Sequence, residues 1–228
     1  MSQDESPGAV QRVALLGSHL PRHCGIATFT TDLADAISAT FPGIECGVVA
    51  MNDAGRRHAY GDRVRFEIAE NDLASYSRAT DFLNVGGIDV LCLQHEYGIF
   101  GGKAGSHILA LLSDVRMPIV TTLHTILSEP TVEQRRVMDE VTRLSSRLVV
   151  MSRCGGELLR EVHGVPADKI DLIPHGIPTL PSSRASKKRL GVEGMSLILT
   201  FGLLSPEEDP GMSLKRRSDR GWRWDGGA

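Results

Sequence analysis

Three short stretches combine glycines with side chains able to bind a ligand or move a proton: GSHLPRHCGIAT at 17–28, QHEYGIFGG at 94–102 and TTLHT at 121–125. In the first, Gly25 stands just ahead of a helical pattern. Backbone N–H groups at such a helix start, with Thr28 beside them, can hold a phosphate or a sugar hydroxyl. A polar connecting loop with a glycine for turn geometry explains the same residues, and both readings stay open at this point. The G-x-G-x-x-G turn that cradles a dinucleotide pyrophosphate is absent, which argues against a nicotinamide or flavin dinucleotide. Cys24 has no visible basic partner, so its thiol reads as an incidental loop residue rather than a nucleophile.

In the second stretch Gln94, His95 and Glu96 follow an apolar strand pattern, and Gly98, Gly101 and Gly102 allow the backbone to approach a ligand closely. A His-Glu pair suggests zinc, yet a zincin needs H-E-x-x-H on a helix, and the fifth position here is Ile99 in a glycine-rich loop. No metal site is expected. In the third stretch His124 ends the next strand pattern, where an imidazole can serve as acid, base or hydrogen-bond donor near neutral pH. Consecutive strands often neighbour in space, so His95 and His124 are expected to line one crevice that takes a sugar or nucleotide. Burial of His95 as a structural residue is the competing reading.

The elements that must position these residues alternate between short aliphatic runs and helical patterns, which specifies α/β architecture with a parallel sheet. Strands are expected near 13–17, 46–51, 64–68, 88–94, 118–123, 147–151 and 169–173. Helices are expected near 28–39, 71–84, 103–115, 130–144 and 153–162, the last started by the N-cap Ser152 and stopped by Gly164. Runs such as VLCL and LVVM are apolar on successive residues, as suits strands covered on both faces. The right-handed crossover preference makes a doubly wound, Rossmann-like parallel sheet the economical topology, with ligands bound outside the carboxyl ends of the strands.

Composition narrows the function classes. The chain has 228 residues, 41% hydrophobic and 23% charged, with a formal charge of -3. No large basic field points to nucleic acid or an anionic membrane, and no apolar run approaches the roughly 20 residues that span a bilayer. With no signal-peptide pattern in MSQDESPGAVQR, a cytoplasmic location is expected. The cysteines at 24, 46, 92 and 154 form no C-x-x-C pair, which argues against a zinc ribbon or disulfide framework.

A proline- and serine-rich stretch, IPHGIPTLPSSRASKKR, reads as a domain boundary. The expected organisation is a first domain at 1–180, a linker at 181–194 and the start of a second domain at 195–206, opened by the strand-like SLILTFG. The remaining 207–228 carry ten charged residues among 22 and no apolar periodicity, so a disordered tail is expected there.

The segments PRHCGIATFTTDLADAI, LQHEYGIFGG, TTLHTIL, VVMSRCGGELLREVHGVPADKIDLIPHGIP and LILTFGLLSP, in this order, resemble glycosyltransferases of family 4. The resemblance covers essentially residues 12–206. It implies the first half of a GT-B fold, and metal-independent, usually retaining transfer of a sugar from a nucleotide-sugar donor to a carbohydrate acceptor, with no cofactor. In such enzymes the N-terminal domain mainly holds the acceptor. Carried over, the loop of Gly25 and Thr28 resembles the glycine loop facing the donor phosphates, and His124 the strand-end histidine at the reacting sugar. His95, Glu96 and Gly98 resemble the acceptor side, while Pro174, His175 and Gly176 resemble the hinge into the second domain.

One departure is marked. Where the family usually has a lysine for the donor diphosphate, Glu208 and Asp209 stand here, and two carboxylates would repel that ligand. The expectation is therefore a polypeptide truncated by a frameshift or premature stop and inactive in transfer by itself, with a separate donor-domain chain as a candidate complementing partner. The alternative is a non-catalytic carbohydrate- or partner-binding Rossmann-like domain.

Overall fold

The computed structural model describes residues 10–176, 188, 191–195, 216–218 and 221–223. The chain divides into two compact units, 1–176 and 177–228. In the first, seven strands form one parallel sheet: β1 (Arg12–Gly17), β2 (Glu45–Asn52), β3 (Val64–Ala69), β4 (Val90–His95), β5 (Ile119–Leu123), β6 (Arg147–Val150) and β7 (Ile170–Leu172). Their spatial order is β3-β2-β1-β4-β5-β6-β7, with every neighbouring pair parallel. The order reverses between β1 and β4. That is the switch point of a doubly wound sheet, the place where a crevice opens at the strand ends.

Period-2 alternation along the strands divides the core into two faces. Leu15, Val48 and Ala50, with Cys92, pack with Ala34, Leu33 and Ile37 of α1 (Gly25–Thr40). Their sequence neighbours Ala14, Leu16, Val49, Met51, Leu91 and Leu93 turn the other way. They meet Tyr76, Ala79 and Leu83 of α2 (Leu73–Val85) and Ile108 and Leu111 of α3 (Ile108–Leu112). Two further helices, α4 (Val132–Leu144) and α5 (Arg153–His163), cover β5 and β6 through Met138, Leu148, Val150 and Leu159. The successive apolar residues of β4 thus reflect helices on both faces, whereas on β6 Leu148 and Val150 share the one face that α4 and α5 cover.

Local chemistry sets the helix ends. Thr131 and Gln134 form a reciprocal capping box at the start of α4. Ser152 caps α5, and Gly164, at φ +65°, ends it in the left-handed conformation that glycine adopts without strain. α1 begins three residues before the position expected from apolar spacing, because the Cys24 thiol accepts from the Ala27 N–H and lets Gly25 open the helix.

The single helix expected over 103–115 is a correction. Residues Lys103–Gly105 make one 3-10 turn, Ala104 stands at φ +53°, and only Ile108–Leu112 is α-helical. Close packing is the reason. A side chain at Gly101 would place its Cβ 1.9 Å from the Glu70 carbonyl oxygen, and one at Gly105, at φ +75°, would meet the Tyr97 carbonyl oxygen at 2.8 Å. The loop is shaped to fit its neighbours before helical propensity acts.

In the second unit, Gly191 N–H donates to the Lys188 carbonyl and Met195 N–H to that of Val192. Arg216–Ser218 pairs antiparallel with Gly221–Arg223, a short ladder within the segment for which the sequence pattern offered no element. The strand expected at 196–202 lies outside the described residues, as do 181–187 and 189–190 of the linker.

Leu93 is fully buried at the centre of the larger cluster. Leu93→Ala is expected to lower the unfolding free energy by about 2–5 kcal/mol, from lost transfer energy and a residual cavity. Urea unfolding followed by circular dichroism checks this; a loss below about 1 kcal/mol would contradict the assigned core.

Candidate active site

The carboxyl ends of β1, β4 and β5 lie side by side. The ladder pairs Leu16 with Leu93, Gln94 with Thr122 and His95 with Leu123. Gly17, Gln94 and His124 therefore occupy successive strand ends across the switch point. His124 is half-buried. Its Nε2 lies 3.0 Å from Gln94 Oε1, and its ring meets Phe29 of α1 edge-to-face with centroids 4.9 Å apart. The same Phe29 ring contacts His175, 5.2 Å away, so helix α1, the end of β5 and the Pro174–Gly176 segment converge on one aromatic side chain.

Electrostatics define what these groups can do. Burial holds the His124 imidazole down to about 4, helped by the nearby His175. His95 is likewise held down to about 4 by burial, with His124 adding to the effect. Both rings are neutral at physiological pH, so His124 offers a hydrogen-bonding imidazole and not a fixed cation.

His95 itself has no exposed surface. It packs against Tyr97 and Phe100, with ring centroids 5.2 and 5.9 Å away, and neither ring nitrogen has a hydrogen-bond partner. The structure thus buries His95 at the end of β4, while its backbone carbonyl accepts from the His124 N–H at 3.0 Å. Glu96 is half-buried; it caps the 3-10 turn Tyr97–Ile99 and accepts from the Thr125 hydroxyl, tying the β4 and β5 loops together. Gly98 is exposed and, like Gly25, has nothing within 4 Å of where a Cβ would stand. Thr28 lies on the exposed face of the first turn of α1. Pro174, His175 and Gly176 are exposed at the end of the first unit.

Residues that sequence patterns did not single out complete the surroundings. The Arg22 guanidinium donates to Ser18 Oγ at 2.6 Å and to Asp53 Oδ1 at 2.5 Å, joining the loop before α1 to the end of β2. In a separate chain of hydrogen bonds, Tyr60 donates to Asn52, which donates to Glu67 on β3. Arg22 and Asp53 are 31 residues apart and meet only through the β1–β2 register, so no local motif could announce them. Gln94 carried a readable signal in its place directly before His95.

Among the described residues, no group of three or more His, Cys, Asp or Glu is arranged to hold a metal ion. A cavity of about 340 Å³ lies instead at the amino ends of β1 and β2, lined by Arg12, Glu45, Arg65, Phe82 and Ile88. Its charges are exposed and pair with one another, Arg12 to Glu45 at 3.3 Å and Arg65 to Glu45 at 3.8 Å. Its lining has no hydroxyl, thiol or imidazole side chain, and it sits at the edge of the sheet opposite to the one a doubly wound fold uses.

The two depressed imidazoles make a pH prediction. In the folded chain they stay neutral down to about 4, whereas unfolded histidine protonates near 6.5. Between those values the unfolded state binds more protons, so their contribution is complete above about 6.5 and is lost as pH falls toward about 4. Denaturant midpoints measured across this window are expected to drop on acidification, and to drop less in His95→Phe. Equal slopes in the two proteins would contradict the assignment.

The profile of Glycosyltransferase Family 4 matches residues 24–179, about two thirds of the chain. No curated protein sequence matches the chain. Among solved structures, the lipopolysaccharide outer core galactosyltransferase WaaB in its apo form aligns with a TM-score of 0.53 at 11% identity, over 73% of this chain and 46% of that one. A glycosyltransferase from Rickettsia africae ESF-5 aligns with a TM-score of 0.54 at 13% identity, over 80% of this chain and 50% of that one. The chain thus spans about half the length of these two proteins, and the likeness lies in the fold: a Rossmann-like sheet matching the N-terminal half of a GT-B architecture. Taken with the seven-stranded parallel sheet, the profile match establishes that this chain belongs to glycosyltransferase family 4.

Proposed function

We propose that the crevice at the ends of β1, β4 and β5 binds carbohydrate, and serves a protein that transfers a sugar from a nucleotide-sugar donor to a carbohydrate acceptor. The observation that carries this reading is His124: a neutral, half-buried imidazole at the switch point, held by Gln94 on one side and Phe29 on another. A neutral imidazole of this kind hydrogen-bonds a sugar hydroxyl without attracting anions nonspecifically.

The role of each residue follows from its place. At the start of α1, Cys24 satisfies the Ala27 and Thr28 N–H groups through its thiol and carbonyl. The first two N–H groups, of Gly25 and Ile26, remain for a ligand, and the open space at Gly25 lets phosphate or sugar oxygens reach them with Thr28 alongside. Glu96 and Gly98 border the acceptor side. His95 acts from beneath, through its carbonyl bond to the His124 backbone. Pro174–Gly176 forms the hinge, with His175 linked to the site through Phe29. The reaction needs no protein-bound metal in this scheme, and the nucleotide sugar enters as substrate, not cofactor.

A calorimetric titration of the chain with saccharides and nucleotide sugars tests the reading, with His124→Ala as the control. The variant is expected to bind at least about tenfold more weakly, a loss of roughly 1.4 kcal/mol, while its thermal midpoint stays close to that of the parent. Unchanged affinity with a large loss of stability would make His124 a structural residue and remove the main support for the site. Saccharide binding without any nucleotide-sugar binding would favour a carbohydrate-binding role for this chain over transfer.

A further inference from the structure

We propose that Gln94 is a positioning residue for His124: its side-chain carbonyl accepts the Nε2 proton, fixes the imidazole as the Nε2–H tautomer and leaves Nδ1 as a lone-pair acceptor for a sugar hydroxyl. The inference rests on the reading of His124 as ligand-facing, and extends it by assigning the atom that meets the ligand.

The geometry is unusual for a residue that only fills space. Gln94 is fully buried, yet its Nε2 donors have no partner, a cost that an apolar side chain of similar shape would avoid. Its Oε1, 3.0 Å from His124 Nε2, makes the one side-chain hydrogen bond described for it. The fold makes room for this contact: a Cβ at Gly17 would stand 2.9 Å from Gln94 Cβ and 3.3 Å from Cγ, so the glycine ending β1 lets Gln94 lie against that strand. The ladder then sets Gln94 beside Thr122, two residues before His124 on β5.

Phe29 supplies a second constraint. Its ring stands at 87° to the imidazole and limits rotation about the hydrogen-bond axis. With Nε2 committed to Gln94, only Nδ1 retains acceptor capacity in a neutral ring. The alternative amide orientation would turn the Gln94 donors toward Nε2 and require the Nδ1–H tautomer, which would offer a ligand a donor in place of an acceptor. The two arrangements predict opposite chemistry for the same crevice.

Two-bond nitrogen–proton correlation spectra of the full chain, labelled with 15N, distinguish them near neutral pH, with the His124 signals identified by their loss in His124→Gln. The expected spectrum shows His124 as the Nε2–H tautomer. In Gln94→Glu, a carboxylate accepts the same proton and adds negative charge, so the proton affinity of His124 should rise at least about tenfold. The other titratable groups near this ring are His95 on β4, His175 in the hinge and Glu96, which holds the neighbouring Thr125. The His95→Phe and His175→Gln backgrounds should preserve the effect of Gln94→Glu. In Gln94→Leu the Nδ1–H form should appear beside the Nε2–H form that free neutral histidine itself favours.

An Nδ1–H tautomer in the parent chain, or an unaltered His124 titration in folded Gln94→Glu, would overturn the proposal. If Gln94→Glu fails to fold, as judged by circular dichroism, the comparison with Gln94→Leu decides: a tautomer ratio identical to that of the parent would overturn the proposal. The Nε2–H tautomer together with normal ligand affinity in His124→Ala would uphold the Gln94 contact and sink the functional reading of the crevice, so the two failures are separable.

Discussion

The parallel ladder joining β1, β4 and β5 is the interaction on which the rest of the site depends. Parallel pairing sends every strand end to the same edge, and the reversal of order between β1 and β4 leaves that edge uncovered by a crossover helix. The register does more than align the backbones. It places Gly17, Gln94 and His124 on three adjacent strand ends, so that a missing side chain on the first admits the second, and the second orients the third. A shift of one residue along β4 would move Gln94 to the opposite face and bring Leu93 or His95 into its place.

Such a constraint tolerates polar groups that a packed core would reject. His95, Gln94 and Tyr97 each hold a buried polar atom without a partner, and all three lie on β4 or directly after it. Elsewhere in the first unit buried polar side chains are mostly paired, as with Thr121 and Ser145 at 2.7 Å or Thr80 with the Tyr76 carbonyl. His19, His58 and His163 also leave Nε2 unpaired, so such polarity gathers at the end of β4 without being confined to it. The Arg22–Asp53 pair works differently: it is satisfied, partly buried, and fastens the loop that presents the start of α1.

Much of this was legible in the sequence because it follows from local periodicity. All seven strands and both glycine loops stand where aliphatic runs and breakers put them, and the Ser152 cap and Gly164 stop of α5 appear as written. What escaped came from contacts distant in sequence. The 103–115 segment has helical composition, but Gly101 and Gly105 press against Glu70 and Tyr97, and that packing breaks the helix. Phe29 reads as one more apolar residue on α1 until the fold sets it between His124 and His175. His95 and His124 look equivalent as strand-end histidines; burial separates them, because β4 is central and its loop folds back over His95 with Tyr97 and Phe100.

The central claim is that ligand enters at the carboxyl edge of the sheet. Mapping backbone amide shifts of the labelled chain during titration with a nucleotide sugar and with saccharides tests it most directly. The predicted result is that Gly25, Ile26, Glu96 and His124 shift in a saturable way while Arg12, Glu45 and Arg65 around the opposite cavity do not. Saturable shifts confined to Arg12, Glu45 and Arg65, or none at the strand ends with any of these ligands, would contradict it.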